Sequence, residues 1–62
     1  MEQGTISSHF VYYHIKPDAI DKIVVFHEGA IYPSGTQFAV GDRVNFERYK
    51  DYPDWAKRVE RI

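Results

Sequence analysis

Phe10-Val11-Tyr12-Tyr13-His14-Ile15, read with Ile23-Val24-Val25-Phe26-His27, decides the fold. Both runs are rich in β-branched and aromatic residues and alternate in polarity, the pattern of half-buried strands. Successive side chains of a strand point to opposite faces. Phe10, Tyr12 and His14 therefore share one face, and Val11, Tyr13 and Ile15 the other. In the second run Val24 and Phe26 share a face, opposite Ile23, Val25 and His27. A small domain buries one face of such a pair. Val11, Tyr13, Ile15, Val24 and Phe26 make the better core set, which leaves Phe10, Tyr12, Val25 and His27 toward water. An exposed aromatic face of this kind marks a binding surface.

The chain has 62 residues, read as one domain over residues 1–62. A domain of this size buries only about 60% of its unfolded surface, so its core is small. There is no cysteine, which excludes a disulfide framework and a thiolate zinc site and fits a reducing compartment. Met1-Glu2-Gln3-Gly4 is polar and leads into no apolar signal region. No run approaches the roughly 20 apolar residues of a membrane helix. The expected location is the cytoplasm, without a membrane partner. Net charge is −1, which is not the basic balance of a duplex-wrapping protein. Single-stranded binding remains open, because stacking supplies much of its free energy. Five Tyr, four Phe and one Trp give 16% aromatic residues, more than one small core needs.

Along the chain, Gly4 to Ser8 reads as a first strand with Ile6 inward, hairpin-paired with the Phe10 strand through a turn near Ser8-His9. Lys16-Pro17-Asp18-Ala19-Ile20-Asp21 breaks the pattern, since proline removes a ladder donor and Pro-Asp favours a turn. Ile23 to His27 is the third strand, closed by Glu28-Gly29-Ala30 as a single helical turn. Tyr32-Pro33-Ser34-Gly35-Thr36 is a loop, after which Phe38 and Val40 return to the core. Gly41-Asp42 is a tight turn before Arg43 to Tyr49, where Val44 and Phe46 face inward. Asp51-Tyr52-Pro53-Asp54 turns into a last strand, Trp55 to Ile62. The fold class is therefore all-β: five short antiparallel strands in a small closed or nearly closed barrel, of OB or SH3-like type.

The motif order narrows this choice. Gly4-Thr5-Ile6, then the Phe10 strand, then Ile23-Val24-Val25-Phe26-His27-Glu28-Gly29-Ala30-Ile31, then Val40-Gly41-Asp42-Arg43-Val44-Asn45-Phe46-Glu47, then Ala56-Lys57-Arg58-Val59, run in the order of a known family. The chain resembles the cold-shock domain along nearly its whole length. That family opens with G-T-V and carries G-F-G-F-I and V-F-V-H-x-S-A-I motifs, a G-x-x-V-x-F-E strand and a final A-x-N-V strand. Gly41 through Glu47 matches its strand position for position, and His27 stands at the correct distance from Ala30-Ile31. Phe10 and Tyr12 fall on the two exposed aromatics of the first motif. The resemblance implies an OB-type barrel that binds single-stranded RNA or DNA, RNA ahead of DNA, by stacking bases on that face. The family's K-W-F-N-x-x-K-G segment is reduced here to Ser7-Ser8-His9, and its next aromatic is replaced by Val25.

Phe10 and Tyr12, about 7 Å apart on one strand, would stack successive bases at roughly 1–3 kcal/mol each. His27 would stack or bond a phosphate, and Val25 lies beside it on the same face. His14 shares the parity of Tyr12 and extends the platform toward Lys16, the phosphate candidate at the strand end. Tyr32 would close over the strand from its loop. His9 reads as an ordinary exposed residue, and the remaining Lys and Arg as scattered surface charge. Trp55 with Tyr49 and Tyr52 reads as a cluster that pins the last hairpin, or as a protein contact.

No nucleophile with an oriented base, no phosphate-cradling glycine loop and no carboxylate pair is recognisable, so no enzyme activity is expected. Neither a metal nor a cofactor is expected. The competing expectation is a protein-interaction module or homodimer on the same barrel, favoured by the shortened first loop and the slightly acidic balance.

Overall fold

The computed structural model describes residues 1–19 and 22–62. Among them are five strands: β1 (Glu2–His9), β2 (Tyr13–Pro17), β3 (Val24–Phe26), β4 (Arg43–Arg48) and β5 (Ala56–Arg61). They pair antiparallel in one sheet of order β3-β2-β1-β4-β5. The sheet curls until its outer strands approach each other. Val25 and Trp55 form a parallel bridge there, and the Val25 N–H donates to the Asp54 carbonyl at 2.8 Å. Ile31 bridges Val59, and the Tyr32 N–H donates to the Val59 carbonyl at 2.8 Å. These contacts cover both sheet edges, which would otherwise present unpaired backbone groups. The result is an all-β, OB-like half-barrel, as the sequence leads one to expect. Among the described residues no helix is long and apolar enough to cross a membrane.

The inward positions fill a single core. Ile6, Tyr13, Ile15, Val24, Phe26, Phe38, Val44, Phe46 and Val59 are all buried, joined by Ala30, Ile31 and Ala56. Tyr13, Ile15, Val24, Phe26, Phe38, Val44 and Phe46 are the core positions that alternation assigns. Gly4 is also buried, and glycine is required there. A Cβ at Gly4 would lie 2.6 Å from Ile15 Cγ2 and 2.8 Å from the Lys16 carbonyl oxygen. β1 and β2 thus pack closer than a side chain permits. Glu28–Ala30 forms a single 3₁₀ turn, as expected.

Several local expectations change. The second strand begins at Tyr13, not Phe10, because His9 pairs with Tyr13 as the last rung of the hairpin. Phe10, Val11 and Tyr12 are left to make the turn. Phe10 and Tyr12 therefore do not sit two positions apart on a strand face. Val11, expected in the core, is 71% exposed, because no ladder holds its side chain inward. The turn moves accordingly from Ser8-His9 to the three residues after it. β2 continues through Pro17, which is buried opposite Gly4 at the strand end. Ile20 and Asp21, the end of the expected break after Lys16, lie outside the described residues.

The third strand is shorter than Ile23 to His27, and Ile23 is exposed. Val40 is 64% exposed rather than in the core. It occupies a turn in which Gly41 adopts φ +99° and the Asp42 carboxylate accepts the Ala39 N–H at 2.8 Å. The fourth strand ends at Arg48 rather than Tyr49. The last strand runs Ala56–Arg61 rather than Trp55 to Ile62.

Candidate functional site

The β1–β2 hairpin tip and the end of β3 meet at one mouth of the barrel. A groove of about 330 Å³ opens between them, lined by His9, Val11, Tyr12, Tyr13, His27 and Glu28. A second groove of about 740 Å³ continues from it toward the 34–38 loop. Its walls include Gly29, Ile31, Thr36, Gln37 and Phe38, and it shares His9, Tyr13 and Glu28 with the first. Among the described residues, neither groove has a Lys or Arg in its wall.

The floor is a column of flat rings. Phe26 lies under Tyr13 with centroids 4.9 Å apart and planes 8° apart. Tyr13 lies under His9 at 3.8 Å and 7°. Phe38 closes the column edge-on, 5.9 Å from Tyr13 and 6.0 Å from Phe26. Phe26 and Tyr13 are buried, whereas His9 is exposed, so the column ends in a solvent-facing imidazole. The hairpin register enforces this, since His9 and Tyr13 are directly opposed.

His27 leaves β3 and caps the 3₁₀ turn. Its Nδ1 accepts the Gly29 N–H at 3.0 Å, and its carbonyl accepts the Ala30 N–H at 2.9 Å. An accepting Nδ1 carries no proton, so Nε2 is the N–H of the neutral ring. Gly29 permits this approach, because a Cβ there would stand 2.7 Å from His27 Cε1.

Tyr12 joins the groove to the outer face of the sheet. Its ring meets Trp55 edge to face, with centroids 5.3 Å apart and planes at 81°. Trp55 bridges Val25, which pairs with His14 across β2 and β3. His14 is half-buried, and its Nδ1 is shielded from solvent without a hydrogen-bond partner. Lys16 follows on the same β2 face, paired with Thr5 of β1.

The sequence-assigned residues thus divide. Tyr12 and His27 come together in one groove. His14, Val25 and Lys16 lie on the adjoining sheet face, outside both grooves. Phe10 is 89% exposed at the hairpin tip and lines neither groove. Tyr32 lies elsewhere, beneath the Arg58 guanidinium at 4.1 Å. Arg58 is held above its ordinary pKa first by its hydrogen bond to Glu60, then by the charges of Glu60, Tyr32 and Glu47, against partial desolvation.

Sequence reasoning reads the groove-lining Tyr13 and Phe38 as core alone, and it misses His9 in the groove and Trp55, which lines neither groove but meets Tyr12. His9 joins only because the turn falls after it, at Phe10-Val11-Tyr12, and strand parity says nothing about a turn. The sequence groups Trp55 with Tyr49 and Tyr52, but its ring partner is Tyr12, brought to it where the outer strands of the curled sheet meet. Tyr49 and Tyr52 are exposed. Among the described residues no three His, Asp or Glu side chains gather as a metal site. No family model matches this chain, and no curated protein sequence matches it.

Proposed function

We propose that this chain is a divergent cold-shock-like domain that binds single-stranded nucleic acid, RNA ahead of DNA. The observation that carries the proposal is the meeting of Tyr12 and His27, from separate segments, in one groove beside His9. Flat, partly exposed rings around a groove suit splayed bases, since stacking is worth roughly 1–3 kcal/mol per base and accepts any sequence. The all-β half-barrel, its strand order and the motif resemblance agree with this reading. Bases enter the groove from the Tyr12 side, while His14, Val25 and Trp55 extend the surface toward Lys16. The domain acts as a passive, cytoplasmic binder that holds strands unpaired and needs no cofactor. With no Lys or Arg among the described residues of the groove walls, affinity falls only shallowly with salt.

A titration with a mixed-sequence single-stranded RNA and with heptathymidine tests the proposal, followed by Trp55 emission and by the Tyr12 and His27 resonances. Binding that shifts these signals supports it. Tyr12→Ala combined with Phe10→Ala should abolish binding while the far-ultraviolet spectrum is kept. Unchanged affinity in that double variant overturns the role of the tip.

One observation favours a second reading, a protein contact. Phe10 and Val11 are adjacent, apolar and exposed at the hairpin tip, and Phe10 lines neither groove. Absence of oligonucleotide binding, with concentration-dependent self-association that Phe10→Ser removes, would select it.

A further inference from the structure

Glu28 sits where a nucleic-acid site ordinarily avoids negative charge. It lines both grooves beside His9 and Tyr13. Among the described residues it enters none of the ion pairs. An ionised carboxylate offers two acceptor oxygens and no donor, and it repels phosphate. It therefore orients a single strand with bases inward and phosphates outward, and it selects among bases by their donors. Guanine alone presents two adjacent donors, N1–H and the N2 amino group, on its Watson–Crick edge. Adenine and cytosine place a ring acceptor beside their one amino group. Uracil sets its single N–H between two carbonyls.

We infer that the groove prefers guanine, stacked on the open face of His9 with its N1–H and N2 amino group on the Glu28 carboxylate. This rests on the single-strand reading above and assigns the base. His9 supplies the flat surface because its other face already lies on Tyr13 at 3.8 Å. Stacking by itself accepts every base. The carboxylate adds the edge recognition that distinguishes them, as bidentate pairs do at base edges generally.

The test uses the full chain and RNA pentamers U-U-N-U-U, with N as each of the four bases, titrated by Trp55 emission or anisotropy. The guanine pentamer should bind about tenfold tighter than the other three. Glu28→Gln, a change at an exposed position, should shrink that preference to about threefold or less. His9→Ala should weaken all four pentamers by about fivefold or more. Equal affinity for the four pentamers, or a guanine preference that survives Glu28→Gln, overturns the inference while the single-strand reading stands. Absence of binding by any pentamer overturns both.

Discussion

Tyr12 and Trp55 meet edge to face, 5.3 Å between centroids, although one tips the first hairpin and the other precedes the last strand. Such pairs contribute about 0.5–1.5 kcal/mol beyond the area they bury. Tyr12 is 42% exposed, which places this pair toward the low end. A double-mutant cycle of Tyr12→Leu and Trp55→Leu, measured by urea unfolding, should give a coupling near about 0.5 kcal/mol. Additive single effects would mean that the rings do not interact in solution.

How much of this was legible in the sequence follows from the range of each signal. Val44, Phe46, Ile15, Val24 and Phe26 announce their burial through local alternation, and the structure agrees. Val11 and Val40 carry the same apolar signal but sit in turns, where alternation has no meaning. The hairpin register, set by His9 opposite Tyr13, shifted the first aromatic pair off the sheet. Trp55 reached Tyr12 through the closure of the barrel, a contact between distant segments that no local pattern encodes.

Gly4 is the tightest point of the sheet. Its substitution by Ala would drive a Cβ against the Lys16 carbonyl, 2.8 Å away, and backbone on a paired strand yields little. Overpacking of this kind costs about 1–3 kcal/mol. For a domain this small that is a large share of the whole, so the urea midpoint should drop markedly. Gly35, with φ +90° and nothing near its Cβ position, provides the contrast. Gly35→Ala should cost only about 1–2 kcal/mol of backbone strain and leave the sheet's amide exchange unchanged.

Arg43 donates to both carboxylate oxygens of Asp18 at 2.6 Å and to the Thr5 hydroxyl at 3.0 Å, tying β4 to β1 and to the residue after β2. The hydrogen bonds from Arg43 hold the Asp18 carboxyl below its ordinary value, with the guanidinium charge assisting and desolvation opposing. Asp42 is held low chiefly by the Ala39 N–H and further by Arg61. A carboxyl depressed in the folded state contributes stability that is present above its unfolded pKa and lost as pH falls through its folded pKa. The contribution of both groups should therefore be level above about pH 5 and decline below about pH 4. Urea midpoints read by Trp55 emission across that range should fall less steeply for Asp18→Asn than for the parent chain. Parallel acid limbs would show that the pair does not form.

His27 combines two roles that substitution can separate. Its Nδ1 caps the 3₁₀ turn through the Gly29 N–H, while its ring lines the groove. Asparagine is a strong N-cap residue whose side-chain oxygen can take over the acceptor role, but it has no aromatic face. His27→Asn should hold stability to within about 0.5 kcal/mol and weaken oligonucleotide binding by about fivefold or more. Gly29→Ala acts in the opposite sense. The added methyl, 2.7 Å from Cε1, pushes the ring out of its cap, so Nδ1 loses its donor. Nitrogen shifts of His27 should then move from a pure Nε2–H tautomer toward a mixture. If His27→Asn binds oligonucleotide as well as the parent chain does, the ring serves the turn alone and the groove recognises its ligand without it.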